Sequence, residues 1–84
     1  MEKLLIVSLR LPAADREYEV RLSAGLNAHI AALLTAQALE GLSEGSFRAA
    51  KSCVLAWRDT GRVLDSQRTI GENGVLNGSR LLLI

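Results

Sequence analysis

A change of hydrophobic period early in the chain constrains its fold more than any other feature. Between Leu4 and Leu11, Leu5, Val7, Leu9 and Leu11 fall on one side, with Ser8 and Arg10 on the other. From Glu17 to Leu22 the alternation returns, with Tyr18, Val20 and Leu22 set against Glu17, Glu19 and Arg21. Period-two patterns predict two half-buried strands. Between them lies Pro12-Ala13-Ala14-Asp15-Arg16, where proline cannot donate to a ladder and Asp15 can bond its own backbone, so a reversal is expected. The two runs therefore form an N-terminal hairpin.

The period then becomes helical. Leu26, Ile30, Leu33 and Leu34 recur at helical spacing among good helix formers, with no proline through Glu40. Ser23, Gly25 or Asn27 suits the start, and Gly41 stands where a left-handed residue commonly ends a helix. Gly41 to Ala50 reads as a loop pinned by Leu42 and Phe47. A third strand, Cys53 to Arg58, leads into a turn at Asp59-Thr60-Gly61-Arg62, where Gly61 supplies positive φ. Val63-Leu64 is expected as a short returning strand and Thr69 to Gly74 as one helical turn. Asn77-Gly78 turns the chain into a last strand, Arg80 to Ile84. The order of elements predicts a single α+β domain over residues 1–84. Its mixed sheet has four to five strands, with one main helix packed across one face, the β-grasp arrangement.

Composition narrows the class of function. Ten Lys and Arg stand against nine Asp and Glu, too balanced for a chain whose main partner is nucleic acid, since phosphate neutralisation dominates such binding. Only Lys3 and Lys51 are lysines; arginine's planar fork suits directed contacts. Nearly half the residues are apolar, enough for a core without disulfides or metal. Cys53 has no partner in the chain, so a reducing, cytoplasmic setting is expected. The apolar runs Leu4 to Val7 and Leu81 to Ile84 are too short for a signal core or a membrane span, so no membrane insertion is expected.

From Trp57 onward the sequence resembles ubiquitin-type domains. The matching residues are Gly61, Leu64, Thr69-Ile70, Val75, Asn77-Gly78-Ser79-Arg80-Leu81 and Leu83. The resemblance implies that Thr69-Ile70 begins the short helical turn, that Val75 plugs the core, and that Asn77-Gly78 turns into the last strand. Within that superfamily the chain is most similar to the small ubiquitin-like accessory proteins of bacterial type VII secretion, the YukD and EsaB group. It also resembles the ubiquitin-like domain that opens that system's multi-spanning membrane subunit. The shared stretch is Gly74-Val75-Leu76-Asn77-Gly78-Ser79-Arg80-Leu81-Leu82-Leu83. Conjugated modifiers and sulphur carriers end in an exposed glycine pair, whereas the sequence here reaches Leu83-Ile84 inside the last strand, so conjugation is not expected in this form. A native gene extending to such a pair would revive the modifier reading. Where ubiquitin shows an exposed isoleucine on its third strand this chain has Arg58, so standard ubiquitin readers are expected to fail.

Catalytic and metal readings are weak. His29, the sole histidine, lacks neighbouring ligands in sequence and is expected on the helix surface, without a metal or cofactor. Cys53 is expected as a small core residue; a pair with His29 would still need an orienting group and a cleft. The glycines from Gly71 to Gly78 do not follow a strand and open a helix, so they read as turn residues rather than a phosphate cradle.

The candidate site is the outer sheet face. If Leu5, Val7, Leu81 and Leu83 face the helix, alternation turns Leu4, Ile6, Leu82 and Ile84 outward. These four are expected to form one apolar patch, rimmed by Arg10, Arg58 and Arg80, suited to a protein interface. The expected function is a non-catalytic binding module of a type VII-like secretion machine. Its partner would be a cytosolic part of the membrane complex or a second copy of the chain.

Overall fold

The structure is a computed structural model that describes residues 3–42 and 53–84. Its elements are β1 (Leu4–Leu11), β2 (Arg16–Ser23), α1 (Ala28–Leu42), β3 (Leu55–Trp57) and β4 (Arg80–Leu83). The hairpin forms as the alternation requires. β1 and β2 pair antiparallel from Leu4 opposite Ser23 to Leu11 opposite Arg16. A 3-10 turn at Pro12–Ala14 reverses the chain, and Asp15 closes it in the left-handed region at φ 51°.

The four strands lie in the order β2-β1-β4-β3. β4 runs parallel to β1, with Leu9 opposite Leu81, and antiparallel to β3, with Leu55 opposite Leu83. This is a mixed sheet with one helix packed across it, as the element order predicts. The face toward α1 carries Val7, Leu9, Leu11, Leu55, Leu81 and Leu83, all essentially inaccessible, and Ile70 and Val75 fill the remaining space. Val75 thus plugs the core as expected. Each such side chain contributes roughly 1.5–3 kcal/mol by leaving water.

The helix departs from expectation in which face it buries. Ile30 and Leu34 are 43% and 52% exposed, while Ala28, Ala31, Ala32, Thr35, Ala36 and Leu39 are buried. The large leucines beneath the sheet leave little depth, so the surface that can approach is the one with the smallest side chains. Close packing selected the alanine stripe over the bulkier one. Asn27 caps the helix, its Oδ1 accepting from the His29 N–H at 2.9 Å. The helix also runs through Gly41 to Leu42 rather than stopping before it. The rest of the loop expected from Gly41 to Ala50, Phe47 included, lies outside the described residues.

Later segments are less regular than the sequence suggests. β3 is three residues long, although Val54 exchanges backbone bonds with Ile84 at 2.8 and 3.0 Å. Val63 makes a single bridge to Ala56 in place of a returning strand. Thr69 to Gly74 forms consecutive turns, with one helical bond from the Asn73 N–H to the Thr69 oxygen at 3.1 Å. That segment is fastened by a capping box: the Thr69 N–H donates to Glu72 Oε1 at 2.9 Å, and the Glu72 N–H to Thr69 Oγ1 at 3.0 Å. Gly71 packs directly on the chain before α1, where an added Cβ would stand 3.1 Å from the Ala24 oxygen.

Candidate protein-binding face

Pairing register decides what the outer sheet face presents. Across β2 and β1, Glu19 stands beside Ser8 and Glu17 beside Arg10. Across β1 and β4, Ser8 is level with Arg80 and Arg10 with Leu82. Ala56 is level with Leu82, and Arg58 follows beside Arg80, its N–H bonding the Arg80 oxygen at 3.1 Å. Ile6 is level with the Asn77-Gly78 turn: its N–H donates to Asn77 Oδ1 and its oxygen accepts from the Gly78 N–H, each at 2.8 Å.

This register divides the expected patch. Leu4 and Ile6 stand at one end of the face, 57% and 41% exposed. Leu82 and Ile84 stand at the other, about 13 Å further along the strands at ~3.3 Å per residue. Between them stand Ser8, Arg80 and Arg58, while Arg10 and Glu17 lie level with Leu82, so Arg58 and Arg80 hold the centre of the face rather than its rim. The correction has a simple cause. Alternation fixes which side of a strand a residue takes, but a parallel pairing sets how far one strand slides past the other.

Arg58 organises the centre. Its Nη2 donates to the Ser8 oxygen at 3.0 Å and to Ser8 Oγ at 3.3 Å, with a long contact of 3.5 Å to the Leu81 oxygen. Its Nη1 forms an ion pair with Glu17 Oε1, and Ser8 Oγ donates to the same carboxylate at 2.8 Å. The Ser8 hydroxyl first, and the Arg58 guanidinium second, hold the Glu17 carboxyl below its ordinary pKa. Arg58 is largely covered, its side chain only 20% exposed, while Arg10 pairs with Asp15 at 2.5 Å. Arg80 makes no ion pair among the described residues. Sequence reasoning named the arginines but missed Ser8 and Glu17. The hairpin register, which puts Glu17 opposite Arg10, was the available signal for Glu17.

The alternative sites have little geometry behind them. His29 is exposed on α1 and Cys53 is buried, both as expected. They line one cleft together with Ser66, but its 20 Å³ holds about one water. Among the described residues no three His, Cys, Asp or Glu side chains gather to hold a metal. Likewise, none of the described helices is long and apolar enough to cross a membrane. A larger groove of 340 Å³ lies between β2 and α1, lined by apolar groups such as Val20, Leu22, Leu34 and Leu42, with Arg21 the one charged residue among the described lining.

With this geometry the chain superposes on solved structures. The EccD5 ubiquitin-like domain from Mycobacterium xenopi matches 98% of the chain over 93% of its own length, with TM-score 0.79 and 20% identity. The ubiquitin-like domain of the type VII secretion protein EccD1 from Mycobacterium tuberculosis matches 98% of each chain, with TM-score 0.75 and 16% identity. The fold is the ubiquitin-like β-grasp. A chain of the MycP5-free ESX-5 inner membrane complex also contains it: 96% of this sequence aligns with 20% of that chain, at TM-score 0.72 and 20% identity. Ubiquitin-like domains of other origins match as well, so at these identities the likeness establishes the fold alone. No protein-family model and no curated protein matches the sequence.

Proposed function

We propose that this ubiquitin-like domain is a non-catalytic protein-binding module, an accessory or regulatory component of a type VII-like secretion assembly of the YukD and EsaB kind. Its 84 residues act as one domain in the bacterial cytoplasm and dock through the outer sheet face onto a cytosolic part of the membrane complex. The observation that carries the reading is the construction of that face. Arg58 is held rigidly at its centre, between Leu4 with Ile6 at one end and Leu82 with Ile84 at the other. Pre-ordered arginine beside exposed aliphatics offers a partner both apolar area and directed donors at little entropic cost. Arg10 and Arg80 flank Leu82 and supply the remaining donors. Secretion-system domains among the structural neighbours support the choice of assembly.

A second reading has its own support. One neighbour is a segment of a much longer chain in an inner membrane complex. On that reading this domain is the ubiquitin-like part of a larger secretion membrane subunit, using the same face.

Affinity capture from the native host tests the proposal, with wild type beside folded Ile6→Glu and Leu82→Glu variants studied separately because the two ends are separate. Recovery of secretion-machine subunits by wild type, lost in at least one variant, is the expected result. Recovery unchanged in both variants removes the outer face from the proposal. Failure of wild type to recover any such subunit removes the assembly.

A further inference from the structure

The two edges of the sheet are finished differently. Along β3 the edge is covered: the Trp57 N–H bonds the Arg62 oxygen at 2.8 Å, and the Leu64 N–H bonds the Leu55 oxygen at 2.9 Å. The other edge is β2, eight residues long, and among the described residues it pairs with β1 alone. Which of its groups face outward follows from the ladder. The Ala24 N–H reaches the Lys3 oxygen at 2.8 Å, and the N–H groups of Ile6 and Ser8 point toward the β4 side. In an antiparallel ladder the bonded rungs alternate, so Tyr18, Val20 and Leu22 bond β1. Glu17, Glu19 and Arg21 turn their N–H and C=O groups to the open edge, where no described residue meets them.

An open strand of this length is a template for another strand. Charged residues usually discourage such pairing, but here their order matters. In an antiparallel pairing of β2 with a second β2, centred on Val20, Glu19 of each copy stands opposite Arg21 of the other. Both rungs are of the kind whose outward N–H and C=O groups match. On the helix side Val20 meets Val20, and Tyr18 meets Leu22. Sliding the pairing by one repeat either way sets Glu19 against Glu19 or Arg21 against Arg21, which is unfavourable. Glu19 and Arg21 are exposed, and neither makes an ion pair among the described residues. Tyr18 and Val20 are only half-buried, so a second strand supplies the cover they lack.

We propose that two copies of this chain associate edge to edge through β2, about a two-fold axis at Val20, joining their sheets into one of eight strands. The interface is isologous, as a two-fold requires. Its charge pattern selects a second copy over a foreign strand. The outer face described above stays free on both copies, so the dimer stands or falls separately from the docking proposal.

A charge swap tests it directly. Sedimentation equilibrium of wild type from about 1 μM to about 1 mM, the range expected of a small interface, should show a monomer–dimer equilibrium. Glu19→Arg or Arg21→Glu alone places like charges on both rungs and should weaken the dimer roughly tenfold or more. The double variant E19R/R21E restores opposite charges and should restore the dimer. Because both residues are exposed, circular dichroism should show all three variants folded. Amide exchange at Glu19 and Arg21 should slow as wild-type concentration rises. A monomer throughout the range overturns the proposal, as does a dimer indifferent to the single swaps or a double variant that fails to recover. So does a wild type that stays monomeric while its β2 amides become protected by an added alternating apolar peptide.

Discussion

The guanidinium of Arg58 crosses β4 to reach Ser8 on β1, donating to the serine's backbone oxygen at 3.0 Å and to its hydroxyl at 3.3 Å. A side chain just past the end of β3 thereby ties together β1, β4 and, through Glu17, β2. The link lies on the solvent side of a sheet whose other side is already bound by apolar packing.

Replacing Arg58 by methionine keeps most of its covered stem and removes the charge-assisted bonds. Urea unfolding should show a loss of about 1–2 kcal/mol, the lower part of the range for bonds to charged groups because Glu17 is half-exposed. An unchanged midpoint would mean the network contributes orientation and no stability.

Glu17 gives this network a pH signature. Its carboxyl titrates below its ordinary value of 4.5 when folded, so it contributes stability above that value and loses it as pH falls through the folded pKa. Glu17→Gln should flatten this acid-side component, and Ser8→Ala should move the Glu17 titration upward. Urea unfolding of wild type and Glu17→Gln at a series of acidic pH values reads the first effect, and carboxyl-carbon NMR titration of wild type and Ser8→Ala reads the second; a Glu17 midpoint indifferent to Ser8→Ala would contradict the assignment.

The Thr69–Glu72 capping box holds the turn that supports α1. Thr69→Ala should cost about 1 kcal/mol, in the usual range for a cap. It should also raise the Glu72 titration, since the Thr69 backbone N–H and then its hydroxyl hold that carboxyl low. Thermal unfolding of Thr69→Ala, Glu72→Ala and the double variant should show strong non-additivity, because both changes break one unit. Additive losses would argue against a reciprocal box.

The helix face makes a prediction opposite to simple hydrophobicity. Leu34→Ala removes a large apolar side chain yet should change stability by only about 0.5 kcal/mol, because Leu34 is 52% exposed. Ala36→Leu adds apolar volume yet should destabilise by roughly 1–3 kcal/mol, since Ala36 is wholly buried against the sheet. Chemical denaturation of the pair decides it; the reverse ordering would restore the bulky stripe to the core.

Period-two alternation was enough for the hairpin, since each strand's pattern is local and a short turn fixes their register. Val7, Leu9, Leu81 and Leu83 are buried as their alternation implies. The sides taken by Leu4, Ile6, Leu82 and Ile84 were legible for the same reason. The helix itself was legible from its formers and its Asn27 cap, but its buried face was not. Counting large apolar residues picked Ile30 and Leu34, whereas space beneath a leucine-filled sheet admits Ala28, Ala32 and Ala36.

By itself, then, the sequence determined the order of elements, the facing of each strand and the turn residues, all set by the chain's near neighbours. Tertiary structure alone decided the slide of β4 along β1, the depth at which α1 sits, and the reach of Arg58 to Ser8 and Glu17. Each of these joins residues distant in the chain, where contact follows from packing the whole core rather than from any local spacing. The same cause splits the outer apolar residues into two ends and places β2 at one edge of the sheet.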